Sequence, residues 1–399
     1  MPKMNAQECT FPFFLIIPPG LEKVSIKEIE DLKKEFLSKN NIQANIQIVS
    51  SEKGGINLQG PLEIAALINN NLKIPSRLLL RLATFRCRDF PKLFLKLGKI
   101  KWNDWCYEIG KIQSSAANST LFDSRKIEKT AKQAIDNFFK NNPAKKNEHK
   151  EAIHPKLFIR FQDDICTVSL DTSGERLGKR GLKVGTHISP LRENLAYACL
   201  YYFISQLKEK GCPGPYTLLD PMCGSGTFLS EAKTSHVPRD FSFNYIPLME
   251  KVKRNSTKRF WFDSYPLDLN IKNIFGFDKD SRAISSAQLN LNKVQSFSKE
   301  IFNFTLKQED FFVKESIFKV SDESIIVICN PPYGKRLVIN EPRQLYLESF
   351  IEQAKVKFSP AYLGILFLDC SKKSEDTLYF EHGGLKVAFN IYANTKFRI

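Results

Sequence analysis

Apolar residues in the second half of the chain fall into short runs separated by helix-spaced stretches. Ile325–Cys329 is β-branched, uninterrupted and closed by Pro331 and Pro332, the pattern of a buried parallel strand. Thr217–Asp220 reads as another short strand, followed by a glycine-rich turn and a helix through Leu229 to Ala232. Ile274–Phe277 is a strand ending in Asp278. Behind it Asp280 caps a helix whose Ala283, Ile284, Ala287 and Leu291 recur at helical spacing. Strand-like Phe304–Leu306 precedes Asp310 and Phe311; Leu345–Ala354 is helical, and Leu363–Leu368 and Leu385–Tyr392 supply later strands. Alternating strands and helices predict an α/β, doubly wound, mostly parallel sheet over residues 190–399.

The first half is patterned differently. Phe13–Ile17 is apolar, Pro18–Gly20 makes a turn, and Leu21–Phe36 has helical spacing; strand-like Ile42–Val49 and Gly55–Leu58 follow. Residues 1–70 are thus expected to form a ferredoxin-like α/β subdomain. Residues 71–172 interleave Arg77, Arg81, Arg86, Arg88, Lys92, Lys96, Lys99 and Lys101 with Leu, Phe and Trp, ahead of a helix over Ser124–Phe139 and strands at Leu157–Phe161 and Cys166–Leu170. Residues 173–189 hold glycines at 174, 178, 181 and 185 and read as a linker, with Ser189 and Pro190 opening a helix over Leu191–Leu207. Residues 233–270 form an insertion between the first two catalytic strands; Arg259–Phe262 within it reads as packing, with a place along a substrate channel as the alternative.

Charge sharpens this picture. A net charge of +16 over 399 residues favours a polyanionic partner by counterion release. Nine cysteines without a C-x-x-C pair, and five scattered histidines, point to a reducing cytosol and give no metal spacing. No apolar run is of membrane-spanning length, so a cytoplasmic protein with no membrane and no metal is expected.

The strand ends carry the candidate chemistry. Asn330, Pro331, Pro332 and Tyr333 follow a buried strand, the position of ligands in open α/β sheets. Two prolines leave neighbouring carbonyls free to accept, Asn330 adds a carboxamide oxygen, and Tyr333 offers a stacking face; together they suit the amine of a base. Asp220 with Gly224 and Gly226 lets a ligand approach a helix N-terminus, and Asp278 suits a ribose diol. A nicotinamide dinucleotide site is disfavoured because the third glycine is missing and Asp278 lies 58 residues after Asp220 (278 − 220). No Lys-Ser or Lys-Thr follows the glycines, so the turn is not a P-loop. Cys223 and Cys329 read as small packing residues.

Asp220-Pro221-Met222-Cys223-Gly224-Ser225-Gly226-Thr227 followed by Asn330-Pro331-Pro332-Tyr333-Gly334 resembles the class I S-adenosylmethionine (SAM) methyltransferases that modify base amines, most closely the THUMP-domain RNA guanine-N2 methyltransferases and, within them, the bacterial 23S rRNA enzymes of RlmL type. The likeness extends through Gly55–Gly60, Ala65–Leu80, Leu170–Glu175, Lys179–Gly181 and Pro190–Ala196. The family's usual Asn-Gly pair is missing from Tyr379–Gly384.

The resemblance implies a Rossmann-like class I methyltransferase domain, with 71–172 as a THUMP RNA-binding domain. It implies SAM held by Arg192, Asn194, Asp220, Pro221, Met222, Cys223, Gly224, Gly226, Thr227, Asp278, Asp310, Phe311 and Asn330. Asn330, Pro331, Pro332 and Tyr333 form the catalytic motif, and Arg77, Arg81, Arg86, Arg88, Lys92 and Lys96 are RNA contacts. The expected reaction is methyl transfer to guanine N2 in 23S rRNA by a monomer. A tRNA substrate, adenine N6 as target, and a non-catalytic RNA-binding ribosome-assembly factor are the alternatives. Because the chain ends soon after the catalytic fold, the second methyltransferase fused to some relatives is expected to be absent.

Overall fold

A computed structural model describes residues 10–143, 154–185, 191–235, 240–254, 256–298, 301–313, 324–332, 342–358, 362–368 and 376–393. Tyr333, Gly334, Ser189 and Pro190 lie outside the described residues. The chain divides into two units, one of residues 1–17, 29–177 and 239–265, the other of 18–28, 178–238 and 266–399.

The first unit is built on one seven-stranded sheet. Its strands are β1 (Phe11–Ile16), β2 (Gln47–Glu52), β3 (Gly55–Gly60), β4 (Arg77–Arg86), β5 (Ile112–Ala117), β6 (Leu157–Gln162) and β7 (Ile165–Asp171), in the order β2-β3-β1-β4-β7-β6-β5. β4 pairs with β1 on one side and β7 on the other. The expected break at 70/71 is therefore corrected: the strands of both segments share one sheet. Leu79 and Leu80 of β4 pair with β1 on one edge and with β7 on the other, and the ten-residue strand continues along β7 past a bulge at Arg81/Ala83. Helices α1 (Glu22–Asn40), α2 (Ile64–Asn71), α3 (Phe90–Gly98), α4 (Trp102–Trp105) and α5 (Ser124–Asn141) accompany these strands. Their apolar positions are buried, among them Leu93, Leu97, Ile127 and Ala131, along with Leu15, Leu58, Leu80, Ile159 and Val168 of the sheet. The second expected strand begins later than its apolar run, at Gln47.

The expected linker begins too early. Ser173 is fully buried and donates through Oγ to Asn69 Oδ1 at 2.6 Å, and Leu177 N–H donates to Ser76 O at 2.8 Å, so the segment to Leu177 belongs to the first unit. The insertion is corrected likewise. Trp261 packs 4.8 Å from Phe36, and Phe243 N–H donates to Thr172 O, so 239–265 is part of the first unit and its aromatic cluster is packing. An aromatic cluster states that it needs burial but not which partner provides it.

The second unit has the expected doubly wound sheet: β8 (Tyr216–Asp220), β9 (Ile271–Asp278), β10 (Asn303–Gln308), β11 (Ser324–Cys329), β12 (Tyr362–Leu368), β13 (Asp376–His382) and β14 (Leu385–Ala393), ordered β10-β9-β8-β11-β12-β14-β13. The first five strands run parallel and β14 antiparallel to β12. α6 (Glu193–Glu209), α7 (Thr227–Lys233), α9 (Ser281–Phe297) and α10 (Arg343–Phe358) are its helices, while α8 (Pro247–Lys253) lies in the first unit. α6 begins two residues later than expected, with Arg192 as its N-cap. Gly383 and Gly384, both at positive φ, make the two-residue turn between β13 and β14. A Gly-Gly pair fills such a turn as Asn-Gly does.

Candidate active site

Four parallel strands end along one edge of the second sheet, in the spatial order β10, β9, β8, β11. Their register pairs Gln308 with Asp278, Gly276 with Asp220, and Leu219 with Val327. Asp310, Asp278, Asp220 and Asn330 therefore form a row at the carboxyl edge, across the point where strand order reverses. Such a switch point is where open α/β sheets bind ligands.

Asp220 is only 2% exposed, and its Oδ1 accepts from Met222 N–H at 3.2 Å. Burial pushes its carboxyl well above the usual range; the Met222 bond opposes this and the nearby Asp278 charge reinforces it. Asp278 ties two segments together. Its Oδ2 accepts from Gly224 N–H and its Oδ1 from Asp280 N–H, both at 2.9 Å, while its carbonyl accepts from Glu309 N–H at 3.0 Å. The turn itself is closed by Gly226 N–H on Cys223 O and by Cys223 N–H on Phe277 O, each at 2.8 Å. Gly226 caps α7 at φ 72°, where a Cβ would also meet the Ala287 Cβ at 3.1 Å. Pro221 is buried, Met222 accepts from Tyr346 Oη at 3.8 Å, and Thr227 Oγ1 accepts from Lys183 Nζ at 3.1 Å.

Beyond β10, Asp310 Oδ1 accepts from Phe312 N–H at 3.0 Å. Phe311 is 5% exposed with its ring 4.5 Å from Phe350, so the side chain belongs to the core rather than to the open edge. Lys357 holds the loop by donating to the Phe311 and Val313 carbonyls, and burial lowers the pKa of its ammonium. At the end of β11, Asn330 and Pro332 are half-buried and Pro331 is buried. Cys223 and Cys329 are buried and burial pushes both thiols well up, which suits packing and not nucleophilic attack.

Arg192 is exposed, and its carbonyl accepts from Leu195 and Ala196 N–H. Asn194 is buried, and its Oδ1 would lie 3.0 Å from a Cβ at Gly178. Sequence reasoning missed Asn290 and Lys357, which bond the loops at this edge from behind. Neither stands in a motif; each reads as an ordinary polar position on a helix. No group of His, Cys, Asp and Glu among the described residues is placed to hold a metal ion, and no described helix is long and apolar enough to cross a membrane.

The six basic candidates in the first unit divide. Arg77 is withdrawn: its side chain is 12% exposed, pairs with buried Asp171 and donates to Gly174 O at 2.6 Å. Burial raises the Asp171 carboxyl to about 6 despite that guanidinium. Arg81 lies 4.6 Å over the Phe14 ring and is half-buried. Arg88 is exposed but donates to Asp164 at 2.5 Å. Arg86 and Lys92 are exposed, Lys92 lying 3.4 Å from Asp89, and Lys96 sits 4.9 Å over the Phe85 ring.

Residues 180–376 match the family described as RMKL-like, methyltransferase domain. A ribosomal RNA large subunit methyltransferase K/L of Syntrophotalea carbinolica is 25% identical over 87% of this chain and 48% of its own length, so the chain spans about half the length of relatives of that type. The "putative RNA methyltransferase YpsC" of Bacillus subtilis is 28% identical over 80% of this chain and 78% of its own. Among solved structures, that of SMU.472, "a putative methyltransferase complexed with SAH", shares the fold at a TM-score of 0.69 and 24% identity, covering 97% of this chain and 98% of that one. Reversed strand order, polar residues at four strand ends and the matched sequence agree: residues 180–376 resemble the methyltransferase domain of the RMKL-like family.

Proposed function

We propose that this chain is a SAM-dependent RNA methyltransferase acting on the exocyclic N2 of a guanine in 23S rRNA. The observation that carries the reading is the row of Asp310, Asp278 and Asp220 beside Asn330 and its prolines at the switch point. The residues fit the cofactor. Each Asp278 oxygen accepts one backbone N–H and retains a lone pair for a ribose hydroxyl. Asp310 stands one strand further out, in reach of an adenine amine, and Asp220 is a buried carboxylate that a cationic methionine moiety would charge and satisfy. Bound there, SAM supplies an electrophilic methyl on a sulfonium.

The chain's own part is positioning. The Asn330 carboxamide oxygen and the Pro331 carbonyl accept the two amine hydrogens, which draws the nitrogen lone pair out of the ring. The motif assigns the stacking role to Tyr333. Transfer would form the N–C bond as the S–C bond breaks, with the amine proton passing to solvent. Alignment of two bound reactants carries much of such a rate without a tuned acid or base. The amine must be unpaired, so the nucleotide is flipped or single-stranded. Support for an RNA substrate comes from the net charge of +16, from exposed Arg86 and Lys92 in a THUMP-like first unit, and from the names of the K/L relatives.

Labelled SAM with protein-free 23S rRNA, 16S rRNA, bulk tRNA and duplex DNA tests the reading, with nucleosides identified by mass. N2-methylguanosine confined to 23S rRNA is expected. The same nucleoside in tRNA moves the substrate, methyladenine overturns the choice of base, and RNA binding without SAM binding or transfer favours an assembly factor.

A further inference from the structure

We propose that Asn290 is a positioning residue for the glycine turn, and through it for the cofactor; the second half of this rests on the cofactor reading above. Asn290 lies on α9, is 2% exposed, and makes the four hydrogen bonds a carboxamide can make in this setting. Its Oδ1 accepts from Val184 and Gly185 N–H at 2.8 Å each; its Nδ2 donates to Gly185 O and Ser225 O at 2.9 Å each. Two segments far apart in sequence thereby meet on one side chain: the irregular segment at 184–185 and the centre of the turn at 225. Ser225 stands between the two glycines whose positive φ shapes that turn.

The peptide plane carries the effect. A trans peptide is rigid, so fixing the Ser225 carbonyl toward α9 sets the opposite direction for Gly226 N–H, which bonds Cys223 O at 2.8 Å. The same helix face closes the remaining space: a Cβ at Gly226 would meet Ala287 at 3.1 Å, and one at Gly185 would meet Ser286 Cα at 2.9 Å. Neither segment can move toward α9, and Asn290 stops them moving away. A buried donor and acceptor pair of this kind is costly to leave half-made.

Asn290→Asp isolates the two halves. A carboxylate keeps the acceptor for Val184 and Gly185 but loses both donations and faces the Ser225 and Gly185 carbonyls; Asn290→Leu loses all four bonds. The test measures amide hydrogen exchange at Gly224 and Gly226 without ligand, and SAM affinity by calorimetry well below the melting temperature. Both variants are expected to exchange faster at the turn and to bind SAM on the order of tenfold more weakly, with kcat at saturating SAM and the KM for RNA nearly unchanged. Wild-type exchange and affinity in the folded variants, with only a lower melting temperature, would overturn the proposal. If the wild-type protein binds no SAM, the cofactor reading fails and the exchange result alone decides the role of Asn290.

Discussion

The backbone N–H of Gly224 donates to Asp278 Oδ2 at 2.9 Å, so the carboxylate that ends β9 holds the turn that follows β8. One side chain thus shapes the turn and stands at the edge where the proposed cofactor would bind. Asp278→Ala removes this bond and the one to Asp280 N–H. It is expected to weaken SAM binding by at least about tenfold. Calorimetric titration checks this; unchanged affinity would assign Asp278 to the fold alone.

Asp220 sets stability against binding. Its folded pKa lies well above the usual value because burial disfavours the charge. As pH rises from about 4, where a carboxyl in the unfolded chain ionises, the unfolded state releases a proton that the folded one retains, and stability falls. Asp220→Asn keeps the shape and the acceptor for Met222 N–H. It is predicted to raise the melting temperature of the ligand-free protein at pH 7–8 relative to wild type, to flatten the pH dependence, and to weaken SAM binding. Melting curves from pH 4 to 8 test the sign.

Asp164 behaves in the opposite sense. It occupies the tight turn between β6 and β7 at φ 63°, accepts from Thr120 N–H at 2.7 Å and pairs with Arg88. These bonds, the Thr120 amide first, hold its pKa down to about 2. Its contribution is complete above the unfolded value near 4 and is lost as pH falls from 4 toward 2. Asp164→Asn should remove that part of the acid sensitivity of the first unit. Circular dichroism melts across this window show whether the slope changes.

Trp261 tests the placement of the insertion. Its ring lies 4.8 Å from Phe36, itself fully buried. Trp261→Ala should cost the first unit about 3–5 kcal/mol, with SAM affinity in the second unit unchanged. Urea unfolding followed by domain-specific probes measures this; lost transfer at unchanged stability would restore the substrate-channel role.

Three of the strand ends were legible because a polar residue closes an apolar run, as Ile325–Cys329 before Asn330 and Ile274–Phe277 before Asp278, whereas Asp310 follows the polar Lys307-Gln308-Glu309. Local pattern announces a strand and its end together. Pairing between distant residues is not local, and there the sequence was silent. Arg77 reads as a basic surface residue until Asp171, 94 residues away, is found beside it. Asn290 reads as a helix polar position until two remote carbonyls reach it. The 70/71 boundary failed for the same reason, since nothing in β4 announces that both of its edges are paired.

The most direct measurement is single-turnover transfer from labelled SAM to protein-free 23S rRNA, wild type against Asn330→Ala, with the product nucleoside identified by mass and SAM affinity measured in parallel. N2-methylguanosine is expected from the wild type, with a loss of at least about a hundredfold in the variant and SAM affinity within a few-fold, since removing a positioned acceptor costs chiefly the transfer step. Full activity in Asn330→Ala, or a methylated nucleoside other than N2-methylguanosine, would contradict this.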